Sequence, residues 1–151
     1  MKVSAGPGDT IVTFALGSCL GITIYDPVMR IGGMLHAMLP ASSIDPGKAQ
    51  ANPSMFVDTG LPLLFEACYR LGARKERIIV KAAGGASTHQ REEDDFFQIG
   101  KRNFTVFRKL LWKNGVLLEA HDVGGTLSRT MSLQINTGSV FLKINGADTP
   151  L

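Results

Sequence analysis

The amino-acid sequence predicts an α+β fold in which mixed β-sheets are packed in layers, with two main helices outside them. Short runs rich in β-branched and aromatic residues, which favour strands, occupy both ends of the chain. Two amphipathic segments with helical periodicity occupy the middle. Strands and helices do not alternate strictly, as a doubly wound parallel sheet would require, so a layered α+β architecture is favoured.

The N-terminal part of the sequence predicts three strands and a loop. The strands cover Thr10 to Gly17, Leu20 to Asp26 and Ile31 to Leu39. They end at a glycine, at an Asp-Pro turn and before a proline, and these residues interrupt strands. The next segment, from Pro40 to Ser54, is rich in Pro, Ser, Asn and Gly and is therefore expected to be a loop.

The central part predicts two helices with a strand between them. The helices run from Phe56 to Leu71 and from Ile99 to Gly115, and the strand runs from Arg77 to Gly85. The polar stretch from Thr88 to Phe96 is expected to be exposed. The residues expected to face the core are Phe56, Val57, Gly60, Leu61, Leu64, Phe65, Cys68 and Leu71 in the first helix, and Phe104, Phe107, Leu110 and Leu111 in the second.

Three further strands are predicted in the C-terminal part, in the sequences VLLEAHDVGG, RTMSLQIN and SVFLKING. The predicted order of elements is therefore βββ-α-β-α-βββ. The chain has 151 residues, of which 44% are hydrophobic and 19% charged, values typical of a globular domain. We therefore expect a single domain over residues 1–151.

The composition also argues against several classes of protein. Two cysteines are too few for a disulfide scaffold, no apolar run reaches the roughly 18 residues of a membrane span, and no signal peptide is recognisable. We expect a cytoplasmic protein without membrane insertion. The net charge of +3 is dispersed, and its nearest cluster, Arg70 to Arg77, lies where cations complement a helix dipole, so no nucleic-acid partner is expected.

The two cysteines have different surroundings in the sequence. Cys68 falls on the apolar face of the first predicted helix, where we expect it to pack as a small hydrophobic residue. Cys19 follows Gly17 and Ser18 at the junction of two predicted strands. Small neighbours leave room for a substrate and for turned backbone N–H groups, which a nucleophilic thiol needs. The local pattern alone favours a structural cysteine.

Histidine is the residue type that most often activates a thiol, and the chain has three. His36 lies in a predicted strand 17 residues after Cys19, a spacing that allows two adjacent strands to bring the side chains together. His36 as a satisfied core residue is the simpler alternative. His121, at a strand end, and His89, in the polar stretch, could in principle pair with the thiol instead.

The sequence carries no metal or nucleotide signature. It lacks CxxC, HxxxH and HxH pairs, which are common in zinc sites, and its Gly-Gly turns match neither the phosphate-binding loop nor the dinucleotide fingerprint. We therefore expect no metal and no organic cofactor.

Several motifs together resemble one family, the CheD chemoreceptor glutamine deamidases. The resemblance extends in order from about Val12 to about Lys143. The motifs are VTFALGSCLGITIYDP (12–27), GGMLHAMLP (32–40), FVDTGLPLLF (56–65), GGAS (84–87), IGKRN (99–103) and HDVGGTLSR (121–129). The combination of GSC, the later HxMLP and the DVGG block is specific, whereas any one of them alone is weak.

The resemblance implies a function and a site. The activity would be hydrolytic deamidation of glutamine side chains on methyl-accepting chemotaxis receptors, that is, a protein-glutamine glutaminase. The family's cysteine, histidine and threonine fall on Cys19, His36 and Thr13. The fold would be similar to that of cysteine deamidase toxins of the cytotoxic necrotising factor type. Some members bind the CheC phosphatase, and receptor methylesterase activity is associated with part of the family.

A thiol mechanism assigns a role to each of these residues. Cys19 would attack the carboxamide carbon, and the turn that contains Gly17 and Ser18 would supply N–H donors to the oxyanion. His36 would protonate the leaving ammonia and then activate water, while Thr13 holds its ring in the useful tautomer. We expect the loop that follows the His36 strand to border the site.

One departure from the family pattern and one chemical argument leave other functions open. The acidic residues Glu92 to Asp95 follow the GGAS motif, where the family more often has an apolar residue. This difference concerns the surface that would contact a receptor or CheC more than the chemistry of the site. An amide and a methyl ester of glutamate pass through the same thioester. A receptor- or CheC-binding module with little catalysis, a glutamyl methylesterase and a hydrolase for another amide or ester are therefore the alternatives.

Overall fold

The computed structural model describes residues 1–87 and 95–151. Most of the polar stretch predicted to be exposed, with His89 and the acidic residues Glu92 to Asp94, lies outside the described residues. Phe96, at its end, is exposed, as is its neighbour Phe97.

Strands predominate in the described part of the chain. They are β1 (Lys2–Ser4), β2 (Thr10–Leu16), β3 (Leu20–Asp26), β4 (Ile31–Ala37), β5 (Ile79–Gly84), β6 (Ala120–Val123), β7 (Arg129–Gln134), β8 (Val140–Ile144) and β9 (Ala147–Pro150). The helices are α1 (Pro46–Ala51), α2 (Val57–Arg70) and α3 (Ile99–Lys113), with short 3₁₀ turns at Ser42–Ile44, Pro53–Met55 and Lys75–Arg77. None of the helices in the described ranges is long and apolar enough to cross a membrane.

The strands form two sheets. The first has the order β1-β4-β3-β5-β6, and the second has the order β2-β7-β8-β9. Only β5 and β6 pair in parallel among the described strands, and the other neighbours are antiparallel. This arrangement confirms the predicted α+β class with mixed sheets.

The first sheet is the central layer of the molecule. Successive side chains of a strand point to opposite faces. Leu20, Ile22 and Ile24 of β3 therefore pack against residues of α2 and α3 in one buried cluster. Tyr25 points the other way and packs against residues of the second sheet in another cluster. The helices thus cover one face of the first sheet, and the second sheet covers its other face.

The core-facing side of α3 agrees with the prediction. Phe107 and Leu111 are buried, and Phe104 and Leu110 are partly buried against the same cluster. The end of the first helix differs from the prediction: α2 stops at Arg70, so Leu71 is largely exposed and takes no part in the core.

The sequence pattern does not predict β1 or β9. Both are short and lie at sheet edges, where β1 pairs with β4 and β9 pairs with β8. All four residues of β9 are exposed, so this strand has no buried face that would impose an apolar alternation.

The expectation that Pro40 to Ser54 is an irregular loop is wrong in part, because the segment contains α1 and two 3₁₀ turns. Asp45 caps α1 by accepting a hydrogen bond from the Lys48 N–H at 3.0 Å, and Pro46 occupies the first turn. None of the residues of α1 is buried. A short helix held by its cap leaves no periodic apolar signal in the sequence.

The basic cluster at the end of α2 has a more specific partner than the helix dipole. Asp26 is fully buried at the end of β3 and accepts hydrogen bonds from the Arg77 guanidinium, the shortest at 2.6 Å. The backbone N–H groups of Arg74, Val28 and Met29 also donate to it. Burial alone would raise the pKa of Asp26, but these hydrogen bonds lower it to about 2. Asp26 therefore joins the end of β3 and the turn after it to the connection between α2 and β5 as a buried carboxylate.

Candidate active site

The turn Gly17-Ser18-Cys19 passes from the second sheet to the first, because it joins β2 to β3. β2 reaches it through a bulge, in which the register with β7 shifts between Thr13 and Leu16. Within the bulge Ala15 has a φ of 56°, in the left-handed region that is costly for a residue with a side chain. Bulges bend a strand and re-aim its residues. Here the bulge redirects the end of β2 toward β3.

All three carbonyl oxygens of this turn accept hydrogen bonds, two from the residues that follow β5 and one from α3. The donors are the N–H groups of Gly85 and Ala86, at 2.8 Å each, and the side-chain amide of Asn103, at 3.0 Å. The C=O and N–H of a trans peptide point in opposite directions. The N–H groups of Ser18 and Cys19 therefore point away from β5 and α3.

Two glycines allow the turn, β5 and α3 to come this close. A Cβ atom on Gly84 would lie 2.3 Å from the Cys19 carbonyl oxygen, and this residue has a φ of 109°. A Cβ on Gly100, in the first turn of α3, would lie 2.3 Å from the Gly85 carbonyl oxygen. Such distances are far below van der Waals contact. The GGAS and IGKRN motifs thus provide the close approach on which the Cys19 turn depends.

The imidazole of His36 is held from the opposite sheet. His36 lies on β4 of the first sheet, and its Nδ1 atom is 2.7 Å from the Oγ1 atom of Thr13 on β2 of the second sheet. This hydrogen bond occupies Nδ1 and leaves Nε2 as the ring nitrogen that can exchange a proton with another group. Thr13 therefore determines which nitrogen is available.

The pairing of β3 with β4 places the thiol and the imidazole on the same face of the first sheet. Gly21 lies opposite His36, and Cys19 precedes Gly21 by two positions. Diagonal neighbours of this kind have Cα atoms about 7–8 Å apart, within reach of long side chains. Both residues face the second sheet, since Cys19 packs against the inter-sheet cluster and His36 contacts Thr13.

The surroundings favour the neutral forms of both groups. Burial raises the pKa of the Cys19 thiol, and a hydrogen bond from its own backbone N–H offsets part of that increase. Burial lowers the pKa of His36, and the positive charge of the amino terminus lowers it further. A neutral imidazole beside a neutral thiol can act as its general base, so proton transfer from Cys19 to His36 is chemically reasonable.

Comparisons with known proteins assign the chain to a family. Residues 38–144 match the family model described as CheD chemotactic sensory transduction. The chain belongs to the CheD family. It is 52% identical over 145 residues to the probable chemoreceptor glutamine deamidase CheD 1 of Syntrophus aciditrophicus, covering 96% of this chain and 89% of that protein. It is 49% identical over 150 residues to the probable chemoreceptor glutamine deamidase CheD of Solibacter usitatus, covering 99% and 88% of the two chains.

A relative of lower identity also matches over most of both chains. The probable chemoreceptor glutamine deamidase CheD of Thermococcus kodakarensis is 40% identical over 151 residues, which cover 95% of this chain and 92% of that protein. The matches to individual CheD relatives therefore include the N-terminal strands with Thr13, Cys19 and His36, which precede the segment matched by the family model.

The second cysteine of this CheD-family chain is a core residue, as the sequence predicts. Cys68 on α2 is almost completely buried in the cluster between the helices and the first sheet. Burial raises the pKa of its thiol to about 12, so it carries essentially no thiolate at neutral pH.

The alternative histidines do not lie beside Cys19 where the structure describes them. His121 on β6 pairs with Ala82, which faces the helices, and its ring packs 5.1 Å from the Phe104 ring. It therefore lies on the opposite face of the first sheet from Cys19. His89 is outside the described residues.

The segment that follows β4 begins at the end of the sheet where Cys19 lies. Leu20 pairs with Ala37, so the chain leaves β4 directly beside the turn. The N–H of Met38 donates to the Met55 carbonyl at 2.8 Å, and Asp58 accepts hydrogen bonds from the backbone and hydroxyl of Ser42. These contacts hold both ends of the segment. That it borders the bound substrate stays a prediction.

Two residues near the turn were not identified from the sequence. Asn103 lies fully buried on α3 and donates to the turn. A lone polar residue on the core-facing side of an amphipathic helix was the available signal. Arg129 pairs with Leu16 at the base of the turn, and its guanidinium bonds to Asp122 at 2.7 Å, which links β7 of the second sheet to β6 of the first. Its signals were its place at the end of the HDVGGTLSR motif and a charge at the start of a strand.

Thr13 and His36 line a shallow, open depression together with Thr10 and Met34, and Cys19 is not among its lining residues. Among residues 1–87 and 95–151, no three His, Cys, Asp or Glu side chains lie close enough together to hold a metal ion. A shallow depression of this kind suits one side chain presented by a larger molecule better than a free small molecule.

Proposed function

We propose that this CheD-family chain hydrolyses glutamine side chains of methyl-accepting chemotaxis receptors to glutamate, with Cys19 as the nucleophile. The observation that carries the proposal is the cross-sheet arrangement, in which Thr13 holds His36 at 2.7 Å and the β3–β4 register places Cys19 on the same face. The names of the relatives as chemoreceptor glutamine deamidases support the substrate class.

In the first half of the reaction, the Cys19 thiol transfers its proton to Nε2 of His36 as the sulfur attacks the carboxamide carbon. An S–C bond forms, and the carbonyl oxygen becomes an oxyanion. The imidazolium of His36 then protonates the amide nitrogen, the C–N bond breaks, and ammonia leaves. The product of this half-reaction is a glutamyl thioester on Cys19.

In the second half, neutral His36 removes a proton from water, whose oxygen attacks the thioester carbon. A C–O bond forms and the S–C bond breaks, which releases glutamate and returns the proton to the sulfur. Burial lowers the pKa of His36, so the neutral base that both halves need predominates at neutral pH. No metal or organic cofactor enters either half.

The donors to the oxyanion differ in part from the residues proposed on the sequence alone. The Gly17 N–H already donates to the Ala15 carbonyl at 2.9 Å. The carbonyls of the turn point toward β5 and α3, so the N–H groups of Ser18 and Cys19 point the other way. We assign the oxyanion site to these two N–H groups, because preorganised backbone donors stabilise charge that develops in the transition state.

Exposed apolar side chains flank the site. Phe14 follows Thr13 on β2 and is 67% exposed, and Met38 follows His36 by two positions and is 47% exposed. Apolar side chains that a folded chain leaves in water often contact another protein. Such contacts with a receptor would select the glutamine, since the depression itself is shallow. Binding of the CheC phosphatase, cytoplasmic localisation and the similarity to cytotoxic-necrotising-factor-type toxins stay predictions.

The test is mass spectrometry of a chemoreceptor cytoplasmic fragment incubated with the wild type, Cys19→Ala and Cys68→Ala. Deamidation replaces an amide by a carboxyl group and adds about one mass unit per site. We expect the shift with the wild type and with Cys68→Ala but not with Cys19→Ala, since Cys19 is on the same sheet face as His36 while Cys68 is buried on the helix side. Cys68→Ala is the matched control because it removes the other thiol.

Other outcomes separate the alternative functions. Full activity of Cys19→Ala would refute the thiol mechanism. Binding without any mass shift by the wild type would favour a receptor-binding module. A fragment that carries glutamyl methyl esters, assayed in parallel for methanol, separates a methylesterase from a deamidase, because both use the same thioester at Cys19.

A further inference from the structure

One side chain contacts both segments that carry the proposed catalytic groups. Asn103 on α3 is fully buried, and its Nδ2 atom donates to the Ser18 carbonyl at 3.0 Å and to the Met38 carbonyl at 3.1 Å. Ser18 directly precedes Cys19, and Met38 follows His36 by two positions. Both hydrogens of the amide are therefore used to join the thiol segment to the imidazole segment.

We propose that Asn103 is a positioning residue that sets the relative placement of Cys19 and His36 and aims the Cys19 N–H. The inference rests on the proposed function, since it acts through those two groups. Asn103 does not touch the substrate: its side chain lies beneath the turn, on the α3 side.

The orientation of the Cys19 N–H follows from peptide geometry. The peptide between Ser18 and Cys19 is planar, so the direction of the Ser18 carbonyl fixes that of the Cys19 N–H. Asn103 holds this carbonyl toward α3. The neighbouring peptides are held in the same sense, since the N–H groups of Ala86 and Gly85 donate to Gly17 and Cys19. Without Asn103, the central peptide of the turn loses the only side-chain donor in this set and can rotate.

A purely structural role explains the asparagine poorly. The Oδ1 atom of Asn103 is buried and has no hydrogen-bond partner within the described part of the chain. A buried acceptor without a partner is destabilising, whereas an apolar side chain at the same place would add to the packing of Phe107 and Leu111. The amide is therefore best explained by what its two donated hydrogen bonds position.

The test compares Asn103→Ala with Asn114→Ala. Asn114 lies at the other end of the same helix, where its Nδ2 atom donates to the Leu110 carbonyl at 2.8 Å. It offers the same chemical deletion far from the turn. We expect Asn103→Ala to lower turnover of the receptor fragment about 100-fold, the order reported for small misplacements of reacting groups. Binding of the fragment should stay within about twofold, while Asn114→Ala should keep turnover within about twofold.

A second readout does not depend on the substrate. In a Cys68→Ala background, the rate at which iodoacetamide alkylates Cys19 is measured against pH. Asn103→Ala should raise the apparent pKa of the Cys19 thiol, because a rotated peptide no longer aims the Cys19 N–H at its own sulfur, and that hydrogen bond lowers the pKa. Asn114→Ala should leave the alkylation profile unchanged. If Asn103→Ala does not fold, Asn103→Ser, which keeps one donor in a smaller side chain, replaces it in both assays.

The outcomes distinguish this inference from the proposed function. Wild-type turnover and an unchanged alkylation profile in a folded Asn103 variant would overturn the positioning role while Cys19→Ala remained inactive. Equal losses in the Asn103 and Asn114 variants would also overturn it, because the effect would then be one of helix stability. Activity of Cys19→Ala would instead overturn the proposed function, and the positioning role with it.

Discussion

At the scale of single residues, the groups proposed to react, Cys19 and His36, differ from the group that orients them, Thr13. Cys19 and His36 each lie in surroundings that favour their neutral forms, so neither is charged before the reaction begins. Their chemistry then depends on where the proton can go. In the tautomer in which Nδ1–H of His36 donates to the Thr13 hydroxyl oxygen, Nε2 is free to accept a proton.

Substitution of Thr13 tests this dependence on orientation. Thr13→Val keeps the shape of the side chain but removes its hydroxyl, so we expect turnover to fall about 10- to 100-fold, less than for Cys19→Ala. Thr13→Ser retains the hydroxyl and should recover most of the activity. Turnover and thermal unfolding are measured for both. If Thr13→Val and Thr13→Ser were equally active, the hydroxyl would have no part in orienting His36.

At the scale of elements, the packing of α3 against the turn depends on contacts between backbones. Gly100 in the first turn of α3 allows the helix to approach Gly85 and Ala86, which in turn donate to the Cys19 turn. The first turn of α3, the end of β5 and the turn therefore form one tightly packed unit. A displacement of any of the three should also move Cys19, because the contacts between them are made by backbone atoms. Backbone atoms cannot move aside as the end of a flexible side chain can.

Gly100→Ala tests that unit. The new Cβ would lie 2.3 Å from the Gly85 carbonyl oxygen and 2.9 Å from that of Ala86, so α3 must shift. Overpacking of this kind typically costs about 1–3 kcal/mol of unfolding free energy. We also expect turnover to fall. Gly47→Ala in α1 is the control, because its Cβ would meet nothing closer than 3.6 Å. Urea unfolding and turnover are compared, and unchanged stability of Gly100→Ala would contradict the close contact.

The elements that were predictable from the sequence are those with an apolar pattern. α2 and α3 each bury one face, which selects apolar residues at the helical period, whereas β3 and β4 are buried on both faces and form nearly continuous apolar runs. β9 and α1 bury nothing and were missed. Cys19, His36 and Thr13 were reached through the motifs of a family. Asn103 ends one of those motifs, IGKRN, but its role was not predicted, because that role depends on the contact of α3 with a turn 85 residues away.

At the scale of the whole molecule, the site depends on the packing of one sheet on the other. Thr13 and His36 come from different sheets, and the Arg129–Asp122 pair also joins the two. The other face of the first sheet is tied to its connections by Asp26, which is hydrogen-bonded to Arg77 and to the N–H groups of Arg74, Val28 and Met29. Loss of that carboxylate charge should therefore weaken the whole fold.

The acid stability of the protein tests the contribution of Asp26. Its pKa is about 2 in the folded protein, against an ordinary value of 3.8. Because the folded pKa is lowered, the stabilisation is fully present above pH 3.8 and is lost as the pH falls toward 2. The difference corresponds to about 2 kcal/mol. Asp26→Asn should therefore be less stable than the wild type at pH 7.

The deficit of Asp26→Asn should shrink below pH 3.8, where the wild-type carboxyl also loses its charge. Urea unfolding of both proteins at several pH values measures the difference, and Asp45→Asn is the control. Asp45 is an exposed cap of the short helix α1, so its substitution should have a small effect. A contribution from the charge of Asp26 must decrease as the carboxylate is protonated. A stability deficit of Asp26→Asn that stayed constant between pH 7 and pH 2.5 would therefore show that the side chain stabilises the fold through its shape.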